Sequence, residues 1–303
     1  MKDVIMTYQT NNLVYHYTTI EVLLKLLDNI EDGKMMFHAS YIQYMNDPFE
    51  LTYGIKQVMS LLPEIENKFF VENKDRLSHV LKNEEFRNEY LKILSKSYYL
   101  PFVVCFCNNR DYLPQWEMYG DKGKGVSIGF DIQDYYRYIT HKSGRIIDMT
   151  HFDDGKLRAI KVSYKQISRN HFFISALKLY YHFYLKGING IYEEEAKWKQ
   201  KLATLTNIAF YLSSLIKHKA YSYELESRII YPCSRIEDIK FKTNSENKLV
   251  PYVEVGIETE RFKKIVIGPC CDYDNTKFML ETRLKQLGLE HVKILQSKIP
   301  FRA

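Results

Sequence analysis

Residues 14–28 read VYHYTTIEVLLKLLD, and the change of period inside that stretch decides how the chain is read. Val14–Thr18 reads as a short strand, whereas Ile20, Leu23, Leu24 and Leu27 recur at helical spacing. Thr18 and Glu21 stand at the capping-box offset, which predicts a helix starting directly after His16 and Tyr17. A histidine at such a junction is as readily a core residue satisfied by backbone as a ligand contact. Alternation puts Tyr17 on the opposite strand face from His16 and Thr18. Tyr17 is read as packing, and His16 and Thr18 as facing a ligand.

Working outward, KMMFHAS (34–40) reads as a second strand and YMNDPFE (44–50) as a turn launching a helix, with Asp47 as cap and Pro48 at the first helical position. PFVVCFC (101–107) reads as a buried strand and NNRDYLPQWEMYG (108–120) as a loop with a short helix. Further strands are read in KGKGVSIGFD (122–131), RAIKVSY (158–164), YSYELESRIIYP (221–232), PYVEVGIE (251–258), FKKIVIGP (262–269) and HVKIL (291–295), with a helix near 274–287. Charged helical patterns at about 55–97 and 171–219 read as insertions. No repeat and no Pro/Gly/Ser-rich hinge divides residues 1–303, so a single α+β domain is expected, with a mixed or antiparallel sheet core and large helical insertions.

Composition narrows the function classes. The 303 residues carry a formal charge of +6, with 46% hydrophobic and 26% charged residues, as in ordinary globular proteins. The basic excess is mild and no dense Lys/Arg run marks a nucleic-acid footprint, although an anionic ligand is permitted. The 25 Tyr and 17 Phe are too many to be read wholesale as a binding surface. Five cysteines, an odd number without CxxC pairs, suit a reducing compartment, and Cys105 and Cys107 share a strand face. No leader pattern and no bilayer-length apolar run is present, so a soluble, cytoplasmic protein without membrane contact is expected.

Four polar clusters fall at the ends of these elements: His16-Tyr17-Thr18, Asn46 to Glu50, Cys107 to Gly129, and Glu224 to Arg228. Asp47 is most simply a helix cap. Trp116 and Tyr119, three apart, are read on one helix face. Glu224, Glu226 and Arg228, two apart in a strand, would share a face. They are read either as an exposed edge salt bridge or as acids at the rim of a cleft that steer a cationic centre.

In their order, YHYTT, MNDPFE, FCNNRDYLPQWEMYGDKGKGVSIGFD, KVSY and YELESRII resemble a bacterial family of unknown function, domain of unknown function 2971, over about residues 14–270. A more distant resemblance is to NAD-dependent ADP-ribosyltransferases, in the sequence of a strand ending in His, a strand with a polar residue before an aromatic-bearing helix, and a strand with Glu-x-Glu. That resemblance implies an ADP-ribosyltransferase-type sheet. It also implies NAD as substrate, with Glu226 as the catalytic acid and Glu224 orienting or deprotonating the acceptor. His16 becomes the adenosine-ribose contact with Thr18 beside it, Tyr119 or Trp116 the ring on nicotinamide, and Asn108 and Arg228 further cofactor contacts. Asn108 stands where many relatives carry a hydroxyl, and Tyr17 where many carry Gly. No GxGxxG is present for a Rossmann-type site. A protein or nucleic-acid acceptor, an inhibitory partner protein and a role as toxin or phage-defence effector go with that reading. The competing classes are a metal-dependent nuclease or hydrolase built on Asp47, Glu50, Glu224 and Glu226, and a non-catalytic sensor binding a nucleotide or partner.

Overall fold

β1 (Val14–Thr18) and α1 (Ile20–Asp28) form where the change of period places them. The N-cap is Thr19, not Thr18: its side chain accepts from the Val22 amide at 3.1 Å, so the helix starts one residue later than predicted. α1 buries Leu23, Leu26 and Leu27 in the main core. This computed structural model describes residues 13–47, 49–68, 76–80, 100–132, 138–141, 144–147, 159–165, 211–233, 235–244 and 247–301, with isolated positions between 173 and 204.

After α1 come β2 (Ile30–Glu31), β3 (Lys34–Tyr41), α2 (Glu50–Lys68), α3 (Leu77–Val80), β4 (Leu100–Cys107), α4 (Leu113–Met118) and β5 (Val126–Phe130). A small hairpin of β6 (Tyr138–His141) and β7 (Gly144–Ile147) and the short β8 (Ile160–Lys161) lead to β9 (Glu226–Cys233). β10 (Lys240–Thr243), β11 (Leu249–Glu258), β12 (Phe262–Ile267), α5 (Tyr273–Gln286) and β13 (Lys293–Gln296) complete the described order. The class is α+β around a mostly antiparallel open sheet; β12–β13 is its parallel strand pair. The strands β2, β6, β7 and β10 are absent from the sequence reading. Of the predicted insertions, 55–68 and 77–80 are helical, while 69–75, 81–97 and most of 171–210 lie outside the described residues, as does Pro48. The end of the second insertion is not α-helix: Ile216 makes a bridge with Ser163, and Lys219–Glu224 is a 3-10 turn.

The sheet forks at β4. One edge of β4 is paired with β9 along its whole length, from Leu100↔Cys233 to Cys107↔Glu226. A strand has two edges, so β3 and β1 share the other: β3 takes Phe102 and Val103, and β1 takes only Cys107. Between them Val104, Cys105 and Phe106 have no strand partner on that edge. His16 fills part of the gap, its Nδ1 bonded to the Cys105 carbonyl at 3.0 Å.

Residues directly opposite one another share a sheet face. The register therefore puts Glu226, Arg228, Cys105, Cys107, Tyr15, Val103 and Ser40 on one face. The other face carries Phe37, Phe102 and Phe106 into the main core, where Phe130 and Phe262 stack.

Candidate functional site

A cavity of about 240 Å³ opens at the fork. Its wall includes His16, Cys105, Tyr119, Lys217, Glu224 and Glu226. The structure thus brings together the first-strand histidine, one of the two candidate rings and both acids of YELES. Thr18, Asn108, Trp116 and Arg228 are not on the wall, and each has another place.

Glu226 opens β9, but Glu224 ends the 3-10 turn before it, so the two acids do not sit on one strand as alternation predicts. Leu225 between them adopts a left-handed conformation, φ 49° and ψ 44°, unusual for a residue with a branched side chain. The Leu225 carbonyl accepts from both the Asn108 backbone amide (2.8 Å) and Asn108 Nδ2 (2.6 Å), while Asn108 Oδ1 accepts from Ser227 Oγ (2.9 Å). Asn108 is therefore a clasp on the turn that bears the acids, not a wall residue. The Glu226 amide donates to Tyr164 Oη at 2.9 Å, which gives the KVSY segment its place.

Behind the wall lies a buried ion cluster. Arg228, fully buried, grips Glu226 bidentately, Nε to Oε1 at 2.6 Å and Nη2 to Oε2 at 2.8 Å. Its Nη1 reaches Glu50 Oε1 and, at 2.7 Å, the Ser214 carbonyl. Lys217 Nζ bonds Glu224 Oε2, stands 3.3 Å from Glu226 Oε2 and 3.7 Å from Glu50 Oε2, and lies 4.9 Å from the Tyr221 ring centre. The exposed edge salt bridge considered for Glu224, Glu226 and Arg228 is thus ruled out: β9 is flanked by β4 and β8, and all three side chains are buried. Three carboxylates face two cations, one carboxylate in excess, and of these five groups Glu224, Glu226 and Lys217 reach the cavity wall.

The two wall acids differ in state. Burial opposes charge on Glu226, but Arg228 and Lys217 overcome it and hold its carboxyl down at about 2. Both Glu226 oxygens are engaged, Oε1 by Arg228 Nε and Oε2 by Arg228 Nη2 and Lys217 Nζ. Burial raises Glu224, with Lys217 opposing, and Glu224 Oε1 has no hydrogen-bond partner among the described residues. Lys217 is held protonated by Glu226 and Glu50 against its own burial.

The aromatic pair divides. α4 ends at Met118, so Trp116 and Tyr119 do not share a helix face. Trp116 is fully buried, edge-on to Tyr17 at 4.8 Å, and its Nε1 donates to Asp111 Oδ1 at 2.8 Å. It is a core residue. Tyr119 is 38% exposed at the cavity, its Oη accepting from Asn46 Nδ2 at 2.7 Å. His16 and Tyr17 reverse the predicted faces. Tyr17 lies on the side of Glu226, its hydroxyl donating to the Asn109 carbonyl, while the His16 ring packs against Phe37 and Phe106. His16 still borders the cavity because the fork opens beside it. Burial lowers its pKa, and a carbonyl can only accept, so Nδ1 carries the proton and Nε2 is a free acceptor. Thr18 is buried at the end of β1.

MNDPFE serves three purposes. Asp47 Oδ1 accepts from the Phe49 amide at 3.0 Å in the turn just before α2, which begins at Glu50; Asn46 holds Tyr119; Glu50 enters the ion cluster. Lys217 was missed. Its signal was a lysine closing the run YLSSLI (211–216), too apolar for a solvated helix end. Gly54 seats α2 and hence Glu50, since a Cβ there would overlap the Ser213 backbone beside Ser214 and Lys217. Gly54→Ala is expected to lower stability by about 1–3 kcal/mol through overpacking, read as a lower urea midpoint at unchanged slope.

Of the carboxylates proposed for a metal, Glu50, Glu224 and Glu226 are paired with cations and Asp47 accepts from the Phe49 amide, and among the described residues no group of three or more His, Cys, Asp or Glu is placed to hold an ion. Nor is any described helix long and apolar enough to cross a membrane. No curated protein and no solved structure is significantly similar to the chain. The resemblance read over residues 14–270 has support over part of that span, which includes Tyr119, Lys217, Glu224, Glu226 and Arg228 but not His16 or Glu50. Over residues 115–229 the chain matches the model of the family described as Protein of unknown function (DUF2971).

Proposed function

We propose that the chain is an ADP-ribosyltransferase-like enzyme that breaks the nicotinamide–ribose bond of NAD and passes the ADP-ribosyl group to a macromolecule. The observation that carries this reading is the pair of acids on the cavity wall, Glu224 and Glu226, backed by a buried cluster in which three carboxylates, Glu50 included, face only Lys217 and Arg228. As the C1′–N bond breaks, its electron pair leaves with neutral nicotinamide and positive charge builds on the ribose. A fixed, ionised Glu226 stabilises that charge without reorganising. Glu224, with one oxygen free toward the cavity, takes the proton of the acceptor nucleophile as it attacks C1′. Tyr119 is the ring available to nicotinamide, and His16 Nε2 an acceptor for a ribose hydroxyl.

The cavity's size sets what it encloses. At about 240 Å³ it is smaller than sites that engulf a drug-sized ligand, roughly 300–1,000 Å³. It suits the nicotinamide-ribose end, with the adenylate half lying outside along the sheet. The test is incubation with NAD labelled on adenine, together with cell lysate, RNA and DNA, without added metal. Release of nicotinamide with label moved to protein or nucleic acid is the expected result and identifies the acceptor class. Folded protein that releases no nicotinamide and transfers no label would sink the reading in favour of a ligand-binding sensor.

A further inference from the structure

The face that carries the acids continues past the cavity. His38 and Ser40 of β3 line the cavity, and the register extends their face to the sheet edge: Ser40 stands opposite Tyr252, His38 opposite Glu254, and Tyr252 opposite Lys240. There the His38 and Tyr252 rings lie 4.1 Å apart at 34°, and Lys242 Nζ is 5.5 Å from the Tyr252 ring centre. Lys240 is neutralised by Glu254 at 2.6 Å. Lys242 has no carboxylate partner among the described residues, although it is half-buried. Its charge is felt at His38 and at His16, where it adds to burial in lowering both imidazoles, so this ammonium acts on the cavity as well as on the edge. A cation partly withdrawn from water without a counter-ion is costly, and an anion placed there would remove that cost.

We propose that Lys242 and His38, spaced by the Tyr252 ring, form the phosphate-accepting end of a nucleotide site whose reacting end is the carboxylate cluster. The assignment rests on the proposed NAD chemistry for the identity of the reacting end. It supplies what the small cavity lacks, a seat for the phosphates of the half that lies outside. Neutral His38 can donate one N–H to a phosphate oxygen, and Lys242 supplies the charge. The Glu254 carboxylate on the same face does not oppose this, because Lys240 is bonded to it.

Calorimetric titration tests the subsite with three probes, ADP-ribose, phosphate-free nicotinamide riboside and inorganic phosphate, on wild type, Lys242→Met and Lys242→Arg. Lys242→Met is expected to weaken ADP-ribose binding by about tenfold or more, the worth of a hydrogen bond to a charged group, and to leave nicotinamide riboside unchanged. Lys242→Arg is expected to restore ADP-ribose binding, which excludes a general loss of fold. Equal ADP-ribose affinity in wild type and Lys242→Met would overturn the proposal, as would equal loss of both organic probes or no ADP-ribose binding by wild type. Displacement of ADP-ribose by inorganic phosphate at matching concentration would also overturn it, making this a free-phosphate site. The two readings fail separately: Lys242-dependent binding without NAD turnover sinks the transferase alone, and NAD turnover with binding indifferent to Lys242 sinks the subsite alone.

Discussion

Arg228→Met is expected to destabilise the fold by about 3–5 kcal/mol, the range for removing one partner of a buried ion pair. At 2–4 °C per kcal/mol, that is a melting temperature lower by roughly 10 °C. Met fills much of the aliphatic volume, so the loss is electrostatic. Three buried carboxylates, Glu50, Glu224 and Glu226, would face Lys217 alone. Glu50 suffers most: its nearest cation would then be Lys217 at 3.7 Å, and its Oε2 already lacks a hydrogen bond. Arg228→Met combined with Glu50→Leu is expected to recover much of the loss, because a matched apolar replacement leaves no orphan charge. Acid titration adds a signature with a definite sign. The Glu226 carboxyl is depressed in the folded state, so its stabilisation is full above the ordinary value near 4.5 and fades as pH falls toward about 2. Arg228→Met should flatten that acid limb. A variant melting within a degree of wild type would show that the ion cluster does not hold the fold together.

The part of the fold legible in the sequence is the part governed by local period. Strands at 14–18, 34–41, 100–107, 126–130, 249–258 and 262–267 and the helix from Tyr273 all declare themselves by alternation or helical spacing. What period cannot express is that β4 serves two strands along one edge, because a fork depends on which distant partner takes each residue. The faces of β1 were misjudged for the same reason. Tyr15 and Tyr17 are as apolar as Val14, and only the pairing Tyr15↔Cys107 tells which side of the sheet each occupies.

The site was half legible. Glu226 and Arg228 follow from strand alternation, since both begin β9 at a two-residue offset. Glu224 reaches the same lysine by another route, through the left-handed Leu225, a backbone state that a Leu codon does not advertise. Glu50 and Lys217 were invisible as a pair. They are brought together by α2 packing on the 213–217 segment through Gly54, and no spacing rule links positions so far apart. Trp116 failed as a ligand ring because Asp111 takes its indole N–H into the second core.

Glu226→Gln is expected to leave the protein folded and lower NAD turnover by about 10²–10³, the usual cost of removing one preorganised electrostatic group. The contrast with Arg228→Met lies in the charge balance. Gln at 226 leaves two carboxylates, Glu50 and Glu224, against Lys217 and Arg228, so the cluster becomes neutral rather than more negative. Arg228 keeps Glu50 and Lys217 keeps Glu224 as ion-pair partners, while the ribose loses the carboxylate that stabilised its cationic transition state; NAD affinity, measured separately, should change little. Glu224→Gln creates the same net charge and therefore controls for it. If Glu224 is the base, its pKa, raised by burial, places an acid limb in the kcat/KM profile above pH 4.5, with activity rising as the carboxyl loses its proton. Glu224→Gln should remove that limb while nicotinamide release to water persists at a reduced rate. Glu226→Gln should keep the limb at a far lower plateau. Two variants of equal charge with different pH profiles assign distinct roles to the two acids. Identical profiles would mean that only the summed charge of the cluster matters, and full turnover in Glu226→Gln would remove Glu226 from the chemistry.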